Sequence, residues 1–367
     1  MSIWSPAVGV RSGALGLALA GLLALVLADP AWAAGPTVQD AGGFGEAARG
    51  DVPEGAAAMM DAKTQQAVDS GLAWLAGQQN PDGSFGSGPY KIAVTSLAGL
   101  AFMASGSSPG RGPHGAPIDK ALLFVMDNTS PSGFISGGIT SNSPMYGHGF
   151  GALFLAEAYG MTNRVEVREK LEKAVRLIID TQNDEGGWRY QPVKRDADLS
   201  VTICQINALR AARNAGIFVP KETVEACIRY VKQSQNPDGG FRYMLRGGGG
   251  SSEFPRSAAG VVALFSAGLY NTKEGDAGIA YLKRCLPEIK FARRSPHYFY
   301  GHYYAAQAFW IQGGEDWNQW YQAIRDELLH RQTAQGSWLD GFGNEYGSAM
   351  ALIILQVPNS SLPIFQR

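Results

Sequence analysis

The stretch IIDTQNDEGGW at residues 178–188 decides the fold of this chain of 367 residues. It places Gln182 four residues after an apolar position, Gly186 four residues after the glutamine, and Trp188 two residues after the glycine. A degenerate copy ends at Gly133 and Phe134, and full copies with the same spacing surround Gln79, Gln235 and Gln332. A period of roughly 50 residues indicates a repeat architecture in which each copy is one supersecondary unit.

A second apolar segment with helical periodicity follows each copy of this signature. These segments contain almost no charge, whereas the first segment of a copy has a polar face, as in 164–180. The second segments are 91–104, 146–159, 198–214, 256–268, 300–312 and 345–356. Several are followed by a glycine, which is typical of the position after a helix C-terminus: Gly106, Gly160, Gly216 and Gly313.

The segments together predict twelve helices in six hairpins, and one hairpin, between Ala277 and Gly314, lacks the signature. Helices that are apolar on every side are buried, and helices with a polar face lie outside them. The sequence therefore predicts an all-α fold, an α6–α6 toroid with an inner and an outer ring of helices. The alternative is an open superhelix, which needs atypical polar caps at both ends.

The first 33 residues differ in composition from the rest of the chain. Arg11 precedes an apolar run over residues 14–28, and Ala31 and Ala33 provide the small residues of a cleavage site. This pattern predicts a signal peptide over 1–33 that is cut after Ala33, so that the mature protein is exported. An uncleaved membrane anchor is the alternative. We expect a flexible lead-in over 34–60, one toroid domain over 61–360 and a C-terminal tail over 361–367.

The composition excludes several functional classes. Charged residues make up 17% of the chain and the formal net charge is −1, so the basic excess that nucleic-acid binding normally requires is missing. The three cysteines, Cys204, Cys227 and Cys285, form no CxxC pair. They predict neither a zinc ribbon nor a disulfide framework.

The repeat resembles the QW motif of squalene and oxidosqualene cyclases and of protein-prenyltransferase β subunits, over about residues 65–357. It is similar as well to small exported bacterial proteins with prenyltransferase/squalene-oxidase repeats. The resemblance implies a central cavity in the toroid and, in the enzymes of the family, a polyprenyl substrate bound there. Squalene cyclases have two such helical barrels, whereas this chain has room for one.

Residues 196–200, DADLS, resemble part of the D-x-D-D-T motif of class II terpene cyclases. By that match Asp198 is the proton donor, although Leu199 stands where the family has its next aspartate. Protonating an alkene requires a carboxyl that is kept protonated in a dry pocket. The predicted catalytic residues are Asp198, Asp196 and His302. The alternative role of Asp198 is that of an N-cap, because it opens an apolar helix.

The inner helices of a ring begin at one rim, so the residues that open them converge on the mouth of the cavity. The densest aromatic run, 298–304, lies at one of these helix starts, and aromatic faces stabilise cations. Core packing is the alternative explanation of this run. The predicted ligand-binding residues are Tyr146, His148, Arg256, Phe299, Tyr300, Tyr303, Tyr304 and Tyr346.

We therefore expect an exported toroid that binds an isoprenoid or a similar apolar ligand and cyclises it by acid catalysis. Peripheral membrane contact stays open, and the sequence identifies no protein partner. We expect no cofactor and no metal: protein prenyltransferases hold zinc through an Asp and a Cys two residues later, and Ser200 occupies that second position here. A toroid that binds a protein or peptide on its rim, and a polysaccharide-active enzyme with paired carboxylates, are the alternatives.

Overall fold

Twelve α-helices alternate between two concentric rings in the computed structural model, which describes residues 59–137, 141–247, 250–289 and 297–366. No β-strand occurs in these ranges, so the predicted all-α class is confirmed. The helices are α1 (Ala62–Gly77), α2 (Lys91–Ala104), α3 (Gly115–Asp127), α4 (Pro144–Thr162), α5 (Val165–Thr181), α6 (Leu199–Asn214), α7 (Lys221–Gln233), α8 (Phe254–Ser266), α9 (Lys273–Ile289), α10 (Tyr298–Gln312), α11 (Gly314–Arg331) and α12 (Asn344–Gln356).

The even-numbered helices form the inner ring. Each packs against the next, from α2 on α4 through to α10 on α12, and α12 packs back against α2. The contact between α12 and α2 closes the ring, so the predicted toroid is confirmed and an open superhelix does not form. Inner helices are buried on all sides, and in α10 every residue from Tyr298 to Ile311 is buried.

The odd-numbered helices form the outer ring and bury one face only. In α5 the buried residues recur at helical spacing, and the exposed face carries the charges. Its buried residues are Val167, Leu171, Ala174, Val175 and Ile178. The polar face that the sequence showed in the first helix of each hairpin therefore faces outward, as predicted.

The repeated glutamine joins neighbouring hairpins through its side-chain amide. In each full copy its Nε2 donates to the carbonyl of the repeat glycine and to a carbonyl of the following outer helix, as Gln182 does to Gly186 and Thr223, both at 2.9 Å. Gln332 reaches from α11 to the Ala67 carbonyl of α1 at 2.8 Å, so the last copy is joined to the first. The other bridges run from Gln79 to Pro117 at 2.9 Å and from Gln235 to Glu274 at 2.8 Å.

The repeat requires a glycine because the turn approaches the backbone of the next outer helix closely. Gly186 has a φ of 94°, and a Cβ atom built on it would lie 2.2 Å from the Ala226 carbonyl oxygen of α7. Only glycine permits both this backbone conformation and this approach. Trp188 then covers the turn and donates its Nε1–H to the Ile178 carbonyl at 2.7 Å.

One detail differs from the sequence-based expectations. Gly160 was predicted to follow the C-terminus of a helix, but α4 continues through it to Thr162, and Asn163 takes the left-handed conformation with a φ of 52°. Asparagine tolerates this conformation better than other residues with a side chain. Residues 363–365, in the segment that we separated as a C-terminal tail, pack against the inner helices α6 and α10, with Ile364 and Phe365 buried.

The predicted signal peptide over 1–33 and all but the last two residues of the lead-in lie outside the described residues. Among the helices that the structure describes, none combines the length and the apolar character needed to cross a membrane.

We expect Gln332→Ala to lower the free energy of unfolding by about 2 kcal/mol, because two backbone carbonyls lose a donor and each such hydrogen bond contributes about 1 kcal/mol. Urea unfolding measured by circular dichroism checks this. Gln78→Ala is the control, since Gln78 makes a single long contact of 3.5 Å to the Trp74 carbonyl. Equal destabilisation by the two variants would contradict the role of the bridge.

Candidate functional site

A cavity of about 430 Å³ opens at the N-terminal ends of the inner helices. All six inner helices, or the loops directly before them, contribute to its wall, and half of the sixteen lining residues are tyrosine or phenylalanine. The lining residues are Tyr90, Ala93, Val94, Ser143, Tyr146, Phe150, Tyr190, Ser200, Tyr243, Glu253, Pro255, Arg256, His297, Tyr300, Phe342 and Tyr346. The wall therefore presents aromatic faces of the kind that stabilise a cation.

Four of the eight predicted ligand-binding residues line this cavity, namely Tyr146, Arg256, Tyr300 and Tyr346. Each of them lies in the first turn of its inner helix. The remaining four, His148, Phe299, Tyr303 and Tyr304, are buried but are not part of the wall.

His148 lies two residues after the cavity-lining Tyr146 and faces the outer ring. Its Nδ1 accepts the N–H of Ile135 at 3.2 Å, so its Nε2 carries the proton and donates to the Ala174 carbonyl of α5 at 3.2 Å. In other repeats a hydroxyl takes this place, as Thr202 does in accepting the N–H of Trp188 at 3.1 Å. The histidine therefore holds the turn that follows the outer helix and does not contact the cavity.

His302, a predicted catalytic residue, occupies the same position in the repeat that lacks the signature. Neither of its ring nitrogens has a hydrogen-bond partner in the part of the chain that the structure describes. The ring packs against Tyr298 and Phe254, with centroids 4.5 and 5.2 Å apart, and it faces Trp320 of α11. Burial lowers the pKa of His302 to about 3, so the ring is neutral, and it does not reach the cavity.

A second aromatic layer supports the floor of the cavity from below. Tyr303 packs edge-on against Phe150 at 6.2 Å, and Tyr304 packs against Tyr300 at 4.8 Å. The Tyr304 hydroxyl lies 3.3 Å from the Sγ of Cys204. These tyrosines lie one helical turn deeper than the wall, which explains why they support the floor without lining it.

Asp198 is fully buried and is the N-cap of α6. Its Oδ1 accepts the N–H of Val201 at 2.9 Å, so the alternative role anticipated from the sequence is present. The other oxygen, Oδ2, makes no well-aligned hydrogen bond within the described residues and lies 3.8 Å from the Nε of Arg189. One carboxyl oxygen therefore caps the helix, and the other is not used by the cap.

Burial raises the pKa of Asp198 from 3.8 to about 7. The N–H of Val201, the positive charge of Arg189 and the hydroxyl of Tyr243 act in the opposite direction, but removal from water outweighs them. A carboxyl with this pKa is protonated in a large fraction of molecules at neutral pH.

Asp196, the third predicted catalytic residue, forms an ion pair with Arg189 at the protein surface. Its side chain is 40% exposed and does not line the cavity. Because Arg189 already pairs with Asp196, its charge favours the ionised form of Asp198 less than a direct pair would.

Two tyrosines beside Asp198 were missed in the sequence analysis. The hydroxyls of Tyr190 and Tyr243 are hydrogen-bonded to each other, and both residues line the cavity. They occupy the same position in successive repeats, in GGWRY at 186–190 and GGFRY at 239–243. This repeated sequence could have identified the two tyrosines as candidates. Both residues lie in loops, however, where no helical period indicates the direction of a side chain.

Arg256 is the cation of the cavity wall that the sequence predicted. Its Nη2 lies 2.7 Å from the Oε1 of Glu253, and its guanidinium lies 6.0 Å from the centre of the Tyr243 ring. In the described ranges no three His, Cys, Asp or Glu side chains come together in a way that suits a metal ion.

Comparison with known proteins supports the resemblance inferred from the repeat. Residues 147–287 match the family model of the prenyltransferase alpha-alpha toroid domain. A drimenyl diphosphate synthase of Streptomyces showdoensis is 26% identical over 187 residues, which are 48% of this chain and 32% of that protein. Another, of Streptantibioticus cattleyicolor, is 34% identical over 107 residues, 29% of this chain and 19% of that protein. The chain thus spans about a third or less of these relatives.

Solved structures share the fold. One is a variant of the type II terpene cyclase MstE from Scytonema, in complex with geranylgeranyl dihydroxybenzoate as substrate. It has a TM-score of 0.59 at 14% sequence identity, and the match covers 82% of this chain and 98% of the cyclase chain. The GH76A α-1,6-mannanase of Salegentibacter sp. HEL1_6 has a TM-score of 0.58 at 8% sequence identity, and the match covers 81% of this chain and 99% of the mannanase chain. At such identities both likenesses show the toroid fold alone.

The raised pKa of Asp198 predicts a pH-dependent component of stability. Between about pH 4 and 7 the native state keeps a proton that the unfolded state has released, so this component is present at low pH and is lost as the pH rises through 7. A shift of this size corresponds to about 4 kcal/mol. Asp198→Asn, which still caps the helix, removes the component, so its stability falls less over this range than that of the wild type.

Chemical denaturation at a series of pH values checks this prediction. Asp61→Asn is the matched control, because Asp61 caps α1 in the same way but is exposed and has a lowered pKa. Parallel pH profiles for the wild type and Asp198→Asn would show that the carboxyl does not titrate as described.

Proposed function

We propose that this chain is a terpenoid cyclase that starts the reaction by protonating an isoprenoid in the cavity, with Asp198 as the proton donor. The observation that carries the proposal is a fully buried carboxyl with a pKa near 7 beside an aromatic cavity. Sequence similarity to drimenyl diphosphate synthases and the toroid fold shared with a type II terpene cyclase support it.

The substrate reaches Asp198 through one section of the cavity wall. Ser200 lies two residues further along the chain, and the carbonyl of Tyr243 accepts the N–H of Leu199, the residue directly after Asp198, at 3.0 Å. Burial raises the pKa of the Tyr146 and Tyr243 hydroxyls, and the charge of Asp198 acts in the same direction. Ser200, Tyr146 and Tyr243 line the cavity. Because Asp198 has no exposed surface, a side chain of this section must move when the substrate binds.

The reaction is an isomerisation. The O–H bond of protonated Asp198 breaks, and its proton forms a C–H bond with an alkene carbon, using the π electrons of the alkene. Neighbouring double bonds then attack the cation, so that C–C bonds of the new rings replace π bonds. Loss of a proton from the last cation to water completes the reaction, and the product is an isomer of the substrate.

The wall supports each stage of this reaction. The rings of Phe150 and Tyr300 face the hydrocarbon, and a desolvated cation over such a ring is stabilised by about 2 kcal/mol. Arg256 holds the polar end of the substrate, and its pairing with Glu253 orients the guanidinium. The cavity volume of about 430 Å³ lies in the range of small-molecule sites, which favours an internal ligand over a partner bound on the rim.

The arrangement favours a cyclase over a polysaccharide hydrolase, although the mannanase shares the fold. Glycoside hydrolysis commonly uses two carboxylates that flank the scissile bond. Glu253 is the one carboxylate residue among those that line the cavity, and it is paired with Arg256.

Export belongs to the same proposal. The apolar run over 14–28 and the alanines before residue 34 support cleavage of a signal peptide. N-terminal sequencing of the protein recovered from outside the cytoplasm is expected to begin at Ala34.

Asp198→Asn is expected to reduce cyclisation at least about a thousandfold, because general acid catalysis by a placed side chain contributes about 10² to 10⁴ and the amide cannot donate an acidic proton. The measurement is gas chromatography with mass spectrometry after incubation with farnesyl diphosphate, geranylgeraniol and squalene. In D₂O the wild-type product should gain one deuterium, at the carbon that is protonated.

The matched control is Asp61→Asn. Asp61 is the N-cap of the outer helix α1 and does not line the cavity, so this variant should keep wild-type turnover. A product without deuterium would exclude acid initiation. Full activity of Asp198→Asn would assign the proton to another group.

Phe150→Ala is expected to deepen the cavity toward Tyr303 and to shift its binding preference toward longer isoprenoids. The affinity for geranylgeraniol relative to farnesol should rise, as measured by calorimetric titration. Phe154→Ala is the control, because Phe154 lies one turn further along α4, is buried and does not line the cavity. Both variants cost about 3 to 5 kcal/mol of stability, so an equal change in binding preference would contradict the assignment of the floor.

A further inference from the structure

The polar part of the cavity wall consists of neutral hydroxyls and one compensated pair of charges. Apart from the tyrosines and His297, Arg256 and Glu253 are the ionisable residues among those that line the cavity, and their side chains lie 2.7 Å apart. Burial raises the pKa of four wall tyrosines, whose hydroxyls therefore stay protonated. These are Tyr146, Tyr243, Tyr300 and Tyr346. The described wall thus offers hydrogen bonds to a ligand while the charge of its arginine is compensated.

The pair of charges lies at the start of α8. Glu253 directly precedes this helix, and Arg256 lies in its first turn. The side chain of Glu253 is 61% exposed and that of Arg256 is 12% exposed, so the carboxylate lies on the solvent side of the guanidinium. A guanidinium has five N–H donors, and one contact with Glu253 leaves donors for a ligand. The polar end of a ligand that reaches Arg256 therefore also meets the Glu253 carboxylate.

An anionic end group is disfavoured at this place. A phosphate oxygen bound to Arg256 would lie about 5 Å from the Glu253 carboxylate, a distance at which like charges repel strongly near a protein surface. The N-terminus of a helix often holds phosphate through its backbone N–H groups. Here α8 begins beside the Glu253 carboxylate, and Pro255 in its first turn has no N–H to donate.

The described cations that neighbour lining residues along the chain are paired as well. Arg189 precedes the lining Tyr190, Lys91 follows the lining Tyr90, and Arg246 lies three residues after the lining Tyr243. Each of the three lies beside a carboxylate. The pairs are Arg189 with Asp196, Lys91 with Asp82 and Arg246 with Glu185. A diphosphate that recruited any of these cations would therefore have to displace a carboxylate.

We infer that the substrate is an isoprenoid with an uncharged hydroxyl end, a prenyl alcohol, and that Glu253 selects it against prenyl diphosphates. The inference rests on the proposed function and specifies its substrate. A hydroxyl is both a donor and an acceptor, so its oxygen accepts an N–H of Arg256 while its hydrogen is donated to Glu253. An alcohol thus satisfies both members of the pair, whereas an ionised diphosphate has only acceptors and satisfies the arginine alone.

Calorimetric titration with farnesol and with farnesyl diphosphate tests this selection. The two ligands share one hydrocarbon and differ in the end group, and Asp198→Asn is the parent protein throughout so that neither ligand reacts. Farnesol should bind at least about tenfold more tightly than the diphosphate, since unit charges about 5 Å apart near a protein surface repel by more than the free energy of a tenfold change. Adding Glu253→Gln should shift the ratio of the two affinities at least about tenfold toward the diphosphate.

Glu225→Gln is the matched control. Glu225 also pairs with a basic residue of its own helix, Lys221, at 3.2 Å, but it lies on the outer helix α7 and does not line the cavity. This variant should leave the ratio of affinities unchanged. The same ratio in Glu253→Gln as in its parent would overturn the role of Glu253, and binding of neither ligand would overturn the inference. Tighter binding of the diphosphate by the parent would overturn it too and would assign the end group to cations outside the described residues, such as Lys290, Arg293 and Arg294.

Turnover by the wild type separates this inference from the proposed function. Both ligands are incubated with the wild type, and the products are analysed by gas chromatography with mass spectrometry. A cyclised product that forms from the diphosphate with the higher kcat/KM would overturn the inference and retain the cyclase. Selective binding of farnesol without any cyclised product from the wild type would refute the cyclase and retain the selection by Glu253.

Discussion

One amide contact, repeated around the ring, determines the architecture on which the site depends. The side chain of each repeat glutamine joins a carbonyl of its own turn to a carbonyl of the next outer helix, and Gln332 extends this pattern back to α1. These bridges fix each hairpin against its neighbour, so the inner helices all begin at the same end of the toroid. The loops that follow Gln182 and Gln235 then carry Tyr190 and Tyr243 to the cavity wall beside Asp198. The contact thus forms the cavity and positions its acid.

The fold was predictable because the repeated residues are the ones that the backbone conformation of each hairpin requires. Glycine at a positive φ, an amide at fixed spacing and an apolar second helix each have one structural explanation, and together they predict a closed ring. The site was predictable only where the start of a helix determines which residue faces inward, as for Tyr146 and Tyr300. A residue two positions later is rotated by about 200° around the helix axis, which is why His148 and His302 face the outer ring.

The proposed function gives Asp198 two roles that the sequence analysis treated as alternatives. A carboxyl has two oxygens, and the N-cap uses only Oδ1, which accepts the N–H of Val201. The cap fixes the side chain in one orientation, and this places Oδ2 away from the helix terminus without a well-aligned partner. The sequence could not separate the two roles because both require the same residue at the same helix start. The buried environment, visible only in the structure, raises the pKa of the carboxyl and supports the proposed acid role beside the cap.

In the proposed reaction, the direction of the inner helices reconciles two opposing requirements on the Asp198 carboxyl. Burial keeps the carboxyl protonated, but a raised pKa also makes the proton harder to transfer. The N-terminus of α6 carries about half a positive charge, and together with the N–H of Val201 it stabilises the carboxylate that forms during the transfer. In the proposed reaction the cation forms against the aromatic rings of the wall. In this proposed step desolvation therefore maintains the proton in the resting state, and fixed dipoles stabilise the carboxylate that appears only when the proton leaves.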